Sequence, residues 1–441
     1  MKRYSEYKDS GVKWIGEIPE HWECRKLKTL LLSPLQYGAN ASGVPYSEHL
    51  PRYIRITDIT LEGKLKHSDK LSLSNEDAAK YILKDKDILF ARSGASVGKT
   101  FLYKQEYGLS AFAGYLIKAE LGKELIPELL FYFTQSDIYE SWKNGIFIQS
   151  TIQNIGADKY SQLQIALPPL SEQEAIVTYL DSKVAKIDEY ISIAEKKIAA
   201  LEELKQTIIA EAVTRGIHKD VLMKDSGVKW IGMIPEHWKV LCLKYLSKIK
   251  GRIGYRGYTA ADLVSEGEGA FVIGGKHINQ CILNTESPDY ISWDKYYESP
   301  EIMVSKGDIV MAQRGSLGKV ALIDKEINEA TINPSLVLIK DICCDASFLY
   351  FYLRSNSTLT LIELLNTATA VPMISQKQIE KMPIPLPPLP EQQEIVTYIE
   401  AKVASINQLC QAERSQIEKL KEYKQRLISD VVTGKVKVTN D

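Results

Sequence analysis

Two long stretches of the chain repeat apolar residues at alternating spacings of three and four. The first holds Val177, Leu180, Val184, Ile187, Ile191, Ala194, Ile198 and Leu201, and beyond Lys205 it continues at Ile208 and Ala212. The second holds Val396, Ile399, Val403, Ile406, Cys410, Glu413, Ile417, Leu420, Lys424, Leu427 and Val431. Such a seam predicts a helix that lies against another helix. Both seams carry a lysine at the same place, Lys205 and Lys424. Either the lysines stay in the seam and fix its register, or the seam drifts and Leu204 and Tyr423 take over. Ser171 and Glu174 have the spacing of a capping box, and Pro390 falls in the first turn of the second helix. The prolines at 168, 169, 387 and 388 keep either helix from starting earlier. Each helix is predicted to run about 43 residues, roughly 64 Å at 1.5 Å per residue. Equal lengths and matched seams favour an internal antiparallel pair over a coiled coil between separate chains.

The pattern before each helix is shorter in period. Arg52–Asp58 alternates like a strand, and Phe271–His277 does so less regularly. Asp87–Ala91 and Asp308–Ala312 read as strands that run into tight turns. The whole order occurs twice. Lys8-Asp-Ser-Gly-Val-Lys-Trp-Ile-Gly-Glu-Ile-Pro-Glu-His-Trp22 returns at 224–238 with fourteen of fifteen positions matched. Leu167-Pro-Pro-Leu-Ser-Glu-Gln-Glu-Ala-Ile-Val-Thr-Tyr179 returns at 386–398, and Asp87–Arg92 returns more weakly at 308–313. The stretches between these blocks differ strongly. A duplicated frame with divergent filling suits two recognition modules for two targets.

The predicted organisation is α+β. A first globular mixed α/β domain occupies 1–166, and its helix 167–215. A second such domain occupies 216–385, its helix 386–433, and a tail 434–441. The helices form an antiparallel coiled coil with pseudo-two-fold symmetry.

Composition adds little against this picture and some support. The 441 residues are 45% hydrophobic and 25% charged, as in an ordinary folded protein. No apolar run reaches 18 residues and the N-terminus is polar, so neither a membrane span nor a signal peptide is expected. The six cysteines form no CxxC pair and no metal-ligand spacing, which fits free thiols in a reducing cytoplasm. Net charge is -1. The helical stretches 171–213 and 390–432 together carry -5, leaving +4 for the remainder. The globular parts are thus mildly basic, enough for phosphate contacts but not for strong non-specific binding.

Two motifs imitate catalytic ones. Gly94-Ala-Ser-Val-Gly98-Lys99-Thr100 has three residues between its glycines where a phosphate loop needs four, and the second copy, Gly315-Ser-Leu-Gly318-Lys319-Val320, is shorter and lacks the hydroxyl. Asn333-Pro334-Ser335-Leu336 lacks the second proline and aromatic of an adenine methyltransferase motif. His21 and His237, within Pro-Glu-His-Trp, read as packed or capping residues. No catalytic or metal-binding residue is assigned.

The candidate DNA contacts are polar and basic residues on turns and loops. The two tight turns offer Arg92, Ser93 and Lys99, and Gln313, Arg314 and Lys319. The Gly251–Tyr258 segment offers Arg252, Tyr255 and Arg256, among glycines that permit close backbone approach. Its first-copy counterpart, Leu35–Asn40, is less basic. The alternating stretches offer Arg52, Arg55 and Lys276. The polar stretches before each Pro-Pro offer Gln149 and Thr151, and Thr369 and Ser375, whose side chains can read base edges.

Together, the opening Ser-Gly-Val-Lys-Trp-Ile-Gly-x-Ile-Pro-Glu-His-Trp and the closings Ile165–Gln173 and Ile384–Gln392, each before a long helix, resemble the specificity subunit of Type I restriction-modification systems. The resemblance covers nearly the whole chain. It implies two target recognition domains, each reading half of a bipartite, asymmetric site in double-stranded DNA, with the helices as a ruler for the spacer. It implies a non-catalytic subunit without a cofactor of its own. Two modification subunits would use S-adenosylmethionine to methylate adenine N6, and restriction subunits would use ATP and Mg²⁺. A related system with a fused methyltransferase-nuclease partner and a coiled-coil scaffold are the alternatives.

Overall fold

The computed structural model describes residues 2–60, 62–66, 68–147, 154–366 and 371–438. The chain divides into two compact units, one of residues 1–194 with 414–441 and one of residues 195–413. The first long helix spans Leu170–Arg215 and the second Leu389–Val432, so each unit holds part of both. The first helix begins before Ser171, whose side chain is exposed. The Pro169 carbonyl accepts from the Glu172 and Gln173 amides at 2.9 Å each, in place of the expected Ser171–Glu174 capping box.

In the first unit, Leu180 and Ile187 of one helix and Leu427 and Val431 of the other are buried in one core with Trp22, Phe133 and Leu163. In the second unit, Lys197 reaches Glu413 at 2.5 Å and Lys205 reaches Asn407 at 3.2 Å. One number rises as the other falls, so the segments run antiparallel. The seam keeps its lysines. Lys205 is 9% exposed, while Leu204 and Tyr423 are 48% and 49% exposed. Lys424 donates to Asp188 at 2.6 Å, within the first unit. The seam positions Val177, Val184, Ile191, Ile198, Leu201, Val396 and Val403 are half-buried, as is Leu420, and Ile399, Ile406 and Ile417 are buried. The buried Lys205 is tolerated because Glu202 on its own helix supplies a counter-charge and Asn407 on the facing helix an acceptor.

Each unit contains two four-stranded sheets with the same strand order. In the first unit an antiparallel sheet runs Gln36–Tyr37, Leu116–Ala119, Ile88–Ala91, Thr100–Leu102. Its counterpart in the second unit runs Lys248–Lys250, Leu336–Lys340, Ile309–Ala312, Val320–Leu322. The other sheets are mixed. Arg52–Ile54 pairs in parallel with Ser110–Phe112, and Gly269–Ile273 with Ala330–Ile332. The expected strand over 52–58 stops at Ile54. The Asp58 carboxylate accepts from the Arg55 amide at 2.8 Å and turns the chain into a short 3₁₀ helix, Ile56–Asp58. In the second unit His277 Nδ1 does the same for the Gly274 amide, also at 2.8 Å, so the strand there stops at Ile273.

Candidate nucleic-acid interface

The repeated blocks meet each other inside each unit. Directly after Trp22, Glu23–Lys26 pairs antiparallel with the closing strand Gln164–Leu167; after Trp238, Lys239–Cys242 pairs with Pro383–Leu386. Trp22 is fully buried, and its Nε1 donates to Glu172 at 2.9 Å. His21 Nε2 lies 2.9 Å from the same carboxylate, and the Tyr4 hydroxyl donates to its other oxygen. That contact and burial together push the Tyr4 hydroxyl far above its ordinary pKa, burial being the larger cause. Trp238 and His237 meet Glu391 in the same way, at 3.0 and 2.7 Å. The next residue completes the joint. Gln173 accepts from the Ile126 amide at 2.8 Å and donates to the Glu124 and Pro168 carbonyls; Gln392 accepts from the Asp345 amide at 2.8 Å and donates to Pro387. The histidines are thus half-exposed partners of the joint's glutamate, not the packed or capping residues expected from sequence. The Glu-Gln pair was the part that sequence reasoning missed.

This joint holds the sheet whose loop edge carries the candidate residues. In the first unit the Ile155 amide donates to the Arg92 carbonyl at 2.8 Å, the Arg92 amide to the Tyr115 carbonyl at 3.0 Å, and Ser93 bridges Asn154. The Arg92 guanidinium lies over the Tyr37 ring, 5.1 Å from its centre, and its Nε is buried without a hydrogen-bond partner. Tyr37 is half-open to solvent and accepts from the Ala157 amide at 3.0 Å. Gly38 is required here, since a Cβ would fall 2.4 Å from the Ala113 carbonyl oxygen. Four segments, at 37–40, 92–93, 113–115 and 154–157, thus share one edge, and Tyr115 stands 63% exposed on it.

The second unit repeats this ladder with other side chains. The Ile374 amide donates to the Gln313 carbonyl at 2.9 Å, the Gln313 amide to the Ser335 carbonyl at 2.9 Å, and Arg314 bridges Met373. Gln313 Nε2 donates to Pro334 and Leu336 carbonyls at 3.0 and 3.3 Å. Arg314, Val371 and Met373 are exposed. Lys319, on the same turn, donates to the Gly275 carbonyl at 2.9 Å, which brings the Gly275–His277 turn to this edge.

The structure thereby sorts the candidates. Arg92 and Ser93, and Gln313 and Arg314, are brought onto the loop edges, with Lys99 on the same turn. Burial lowers the Lys99 pKa, and Lys66 nearby lowers it further. Gln313 and Lys319 also donate to backbone carbonyls at that edge, and five other candidates are engaged away from it within their own units. Arg52 is buried on the Lys66 carbonyl, and Arg55 forks onto Asp58 at 2.8 and 3.1 Å. Arg252 is buried against Thr331 and Ile332 and stacks over Tyr258, 5.4 Å away. Arg256 pairs with Glu301 at 3.4 Å, and Lys276 with Asp289 at 2.7 Å. Ser375 caps the short helix Gln376–Glu380. Gln149, Thr151, Thr369 and the Tyr255 side chain lie outside the described residues. Tyr115 and Asn154 were not singled out from sequence, because only the folded ladder brings them beside Arg92 and Ser93.

The nucleotide motif dissolves in three dimensions. Gly94 and Gly98, at φ +75° and +83°, flank a single 3₁₀ turn, Gly94–Ser96, that returns as the strand Thr100–Leu102, so no α-helix follows the glycines as a phosphate loop requires. Among the described residues no cluster of His, Cys, Asp and Glu could hold a metal ion, and no helix is long and apolar enough to cross a membrane.

A family model described as the Type I restriction modification DNA specificity domain matches residues 52–203 and 235–419. The putative type I restriction enzyme MjaX specificity subunit of Methanocaldococcus jannaschii is 29% identical, with 98% of each chain covered. The EcoKI specificity subunit of Escherichia coli is 22% identical over 96% of this chain and 90% of that one. A chain from a structural study of assembly in the type I R-M system superposes with a TM-score of 0.71 at 18% identity, covering 95% of this chain and 99% of its own. The HsdS subunit of Thermoanaerobacter tengcongensis gives 0.51 at 20% identity, covering 95% and 98%. The last two likenesses concern the fold. With the family model spanning most of its length, the chain belongs to the specificity subunits of Type I restriction-modification systems, the subunits that recognise DNA sequence.

Proposed function

We propose that each unit reads one half of a bipartite, asymmetric site in double-stranded DNA, and that the long helices set the spacer between the halves. The observation that carries this is the loop edge. Its backbone ladder is the same in both units, while Arg92-Ser93 is replaced by Gln313-Arg314 and Tyr115 by Ser335. Arginine binds guanine through a two-pronged hydrogen bond and glutamine binds adenine likewise, so equivalent positions can read different bases.

The chain itself supplies recognition and no catalytic group. Modification subunits using S-adenosylmethionine methylate adenine N6 at the bound site, and restriction subunits using ATP and Mg²⁺ cleave away from unmodified ones. Two modification subunits dock, one on each unit. A patch of exposed aromatic or aliphatic side chains at equivalent positions of both units supports this pairing. The first unit exposes Tyr190 and Tyr423, with Lys183 5.6 Å over the Tyr179 ring. The second exposes Leu409 and Leu204, with Lys402 5.7 Å over the Tyr398 ring. These positions correspond at the repeat offset. Exposed aromatic and aliphatic groups flanked by charge suit a protein interface.

The test is to map N6-methyladenine in host DNA with and without this gene, with the modification subunit expressed. A bipartite motif that disappears with the gene supports the proposal, and an unchanged methylome refutes it. Exchanging residues 24–165 alone should change one half-site and leave the other. Inserting four residues near Ala199, about 6 Å of helix, should lengthen the spacer.

A further inference from the structure

The loop edge of the first unit contains one contact that its backbone ladder does not account for. The ladder pins the main chain of Arg92. Among the described residues no hydrogen bond or ion pair engages its guanidinium, whose Nε is buried. The group lies instead over the Tyr37 ring, 5.1 Å from its centre. That ring is itself fixed. Tyr37 pairs with Ile117 across the sheet, and its hydroxyl accepts from the Ala157 amide at 3.0 Å.

The second unit holds no such shelf at the equivalent place. Ile117, the partner of Tyr37, also pairs with Phe90. Met311 takes the place of Phe90 and pairs with Val337. Lys250 pairs with Leu338, so the next residue, Gly251, is the one that reaches Val337, where a Cβ would lie 3.6 Å away. Gly251 therefore stands where the first unit has Tyr37. A Cβ there would collide with Nε2 of Gln376, the counterpart of Ala157. Gln313, the counterpart of Arg92, is tied through its own Nε2 to the Pro334 and Leu336 carbonyls.

The two devices leave different groups for DNA. A carbonyl or carboxylate partner occupies donors, whereas a ring face attracts the planar cation and leaves its rim of N–H groups free. A guanidinium held before DNA arrives also loses less rotamer freedom on binding. Its fork matches guanine, whose N7 and O6 acceptors lie side by side in the major groove; adenine and cytosine place an amino donor there. We propose that Tyr37 acts through Arg92, aiming its guanidinium at a guanine of the half-site read by the first unit. This rests on the reading of the loop edge as the base-contacting surface.

The test uses the chain assembled with its modification subunit, in methylation assays on duplexes carrying the motif mapped in host DNA. Each base pair of the half-site altered by exchange of residues 24–165 is changed in turn. The readout is discrimination, the ratio of kcat/KM on the intact duplex to that on each changed one. Arg92→Ala should lower discrimination about tenfold at one G·C pair and leave the other pairs unchanged. Tyr37→Leu should lower it about threefold at the same pair, while Tyr37→Phe, which keeps the ring, should match the wild type. Tyr37 is 41% exposed, so loss of its ring leaves the core intact. In an Arg92→Ala background, Tyr37→Leu should add nothing. The proposal is overturned if Tyr37→Leu weakens all duplexes alike, as a phosphate contact or a purely structural role requires, if the affected pair is not G·C, or if the effect persists without Arg92. Discrimination lost with Arg92→Ala but kept with Tyr37→Leu overturns the role of Tyr37 alone. Discrimination unchanged by Arg92→Ala overturns the base-reading role of Arg92 with it.

Discussion

Asp188→Asn gives the Lys424 crossing of the first unit the amide acceptor found in the second, without the Glu202 carboxylate that pairs with Lys205 there. Asp188 and Asn407 occupy equivalent seam-flanking positions, facing Lys424 and Lys205. Asp188 takes Lys424 at 2.6 Å, where the two side chains are 28% and 14% exposed, and Lys64 at 3.2 Å, where the lysine is 67% exposed. The Lys424 ammonium stays charged, so its bond to an amide oxygen remains charge-assisted; what is lost is the ion-pair attraction of a partly buried pair, about 1–1.5 kcal/mol. The exposed Lys64 contact should add no more than about 0.5 kcal/mol. The expected destabilisation is about 1.5–2 kcal/mol near pH 7. Burial raises the Asp188 pKa, but the hydrogen bonds and charges of Lys424 and Lys64 outweigh it and hold the carboxyl below its ordinary value. Its contribution is thus present above the unfolded-chain pKa and lost as pH falls through the folded one. Native-state hydrogen exchange on peptides from 180–194 and 416–430 reads the local opening free energy. Wild type and variant should differ at pH 7 and converge as the carboxyl protonates. A gap below about 0.5 kcal/mol at pH 7, or the same gap in a Lys424→Met background, would refute the reasoning.

Glu172→Ala leaves the fully buried Trp22 Nε1 without an acceptor and should cost about 3 kcal/mol, against about 1 for Glu172→Gln, measured by urea unfolding followed through tryptophan fluorescence. The double change Arg92→Gln with Ser93→Arg gives the first loop edge the side chains of the second; methylome mapping should show altered bases in one half-site, with the other half unchanged. Tyr190→Ser with Tyr423→Ser should halve the modification subunit that co-purifies with the chain, because the equivalent patch on the second unit is intact. Retention of both copies, by native mass spectrometry, would count against docking at these residues.

The long helices were legible because apolar residues spaced alternately three and four apart fit a helix packed on another helix and fit no strand. Whether Lys205 or Leu204 belongs to that seam was not. A straight helix drifts about 20° per heptad, so a single helix cannot say which neighbour ends up inside. The answer lies in what each lysine meets: Asp188 on the facing helix for Lys424, and Asn407 on the facing helix with Glu202 on its own for Lys205. The recognition edge was half legible for a similar reason. Sequence shows an arginine but not what it meets: Arg52 and Arg252 end in buried contacts, while Arg92 and Arg314 reach the edge. Alternation continues past Ile54, but the Asp58 side chain, not the apolar pattern, ends the strand there.

The hydrogen bonds of the loop ladder explain how the frame can stay fixed while its reading changes. Ile155 to Arg92 and Ile374 to Gln313 are amide-to-carbonyl bonds, as are Arg92 to Tyr115 and Gln313 to Ser335. None depends on which side chain sits at the position, so substitution there leaves the ladder intact. The bonds that do depend on side chains, from Trp22 and His21 to Glu172 and from the Ile126 amide to Gln173, lie at the other joint, and the side chains that make them fall inside the two blocks that the repeat preserves. Matched sequence and divergent sequence therefore separate along a physical line. At the Glu-Gln joint the Trp, His, Glu and Gln side chains that hold the frame match between the copies. At the loop edge backbone bonds carry the ladder and the side chains differ, so base contacts can change there without loss of the ladder.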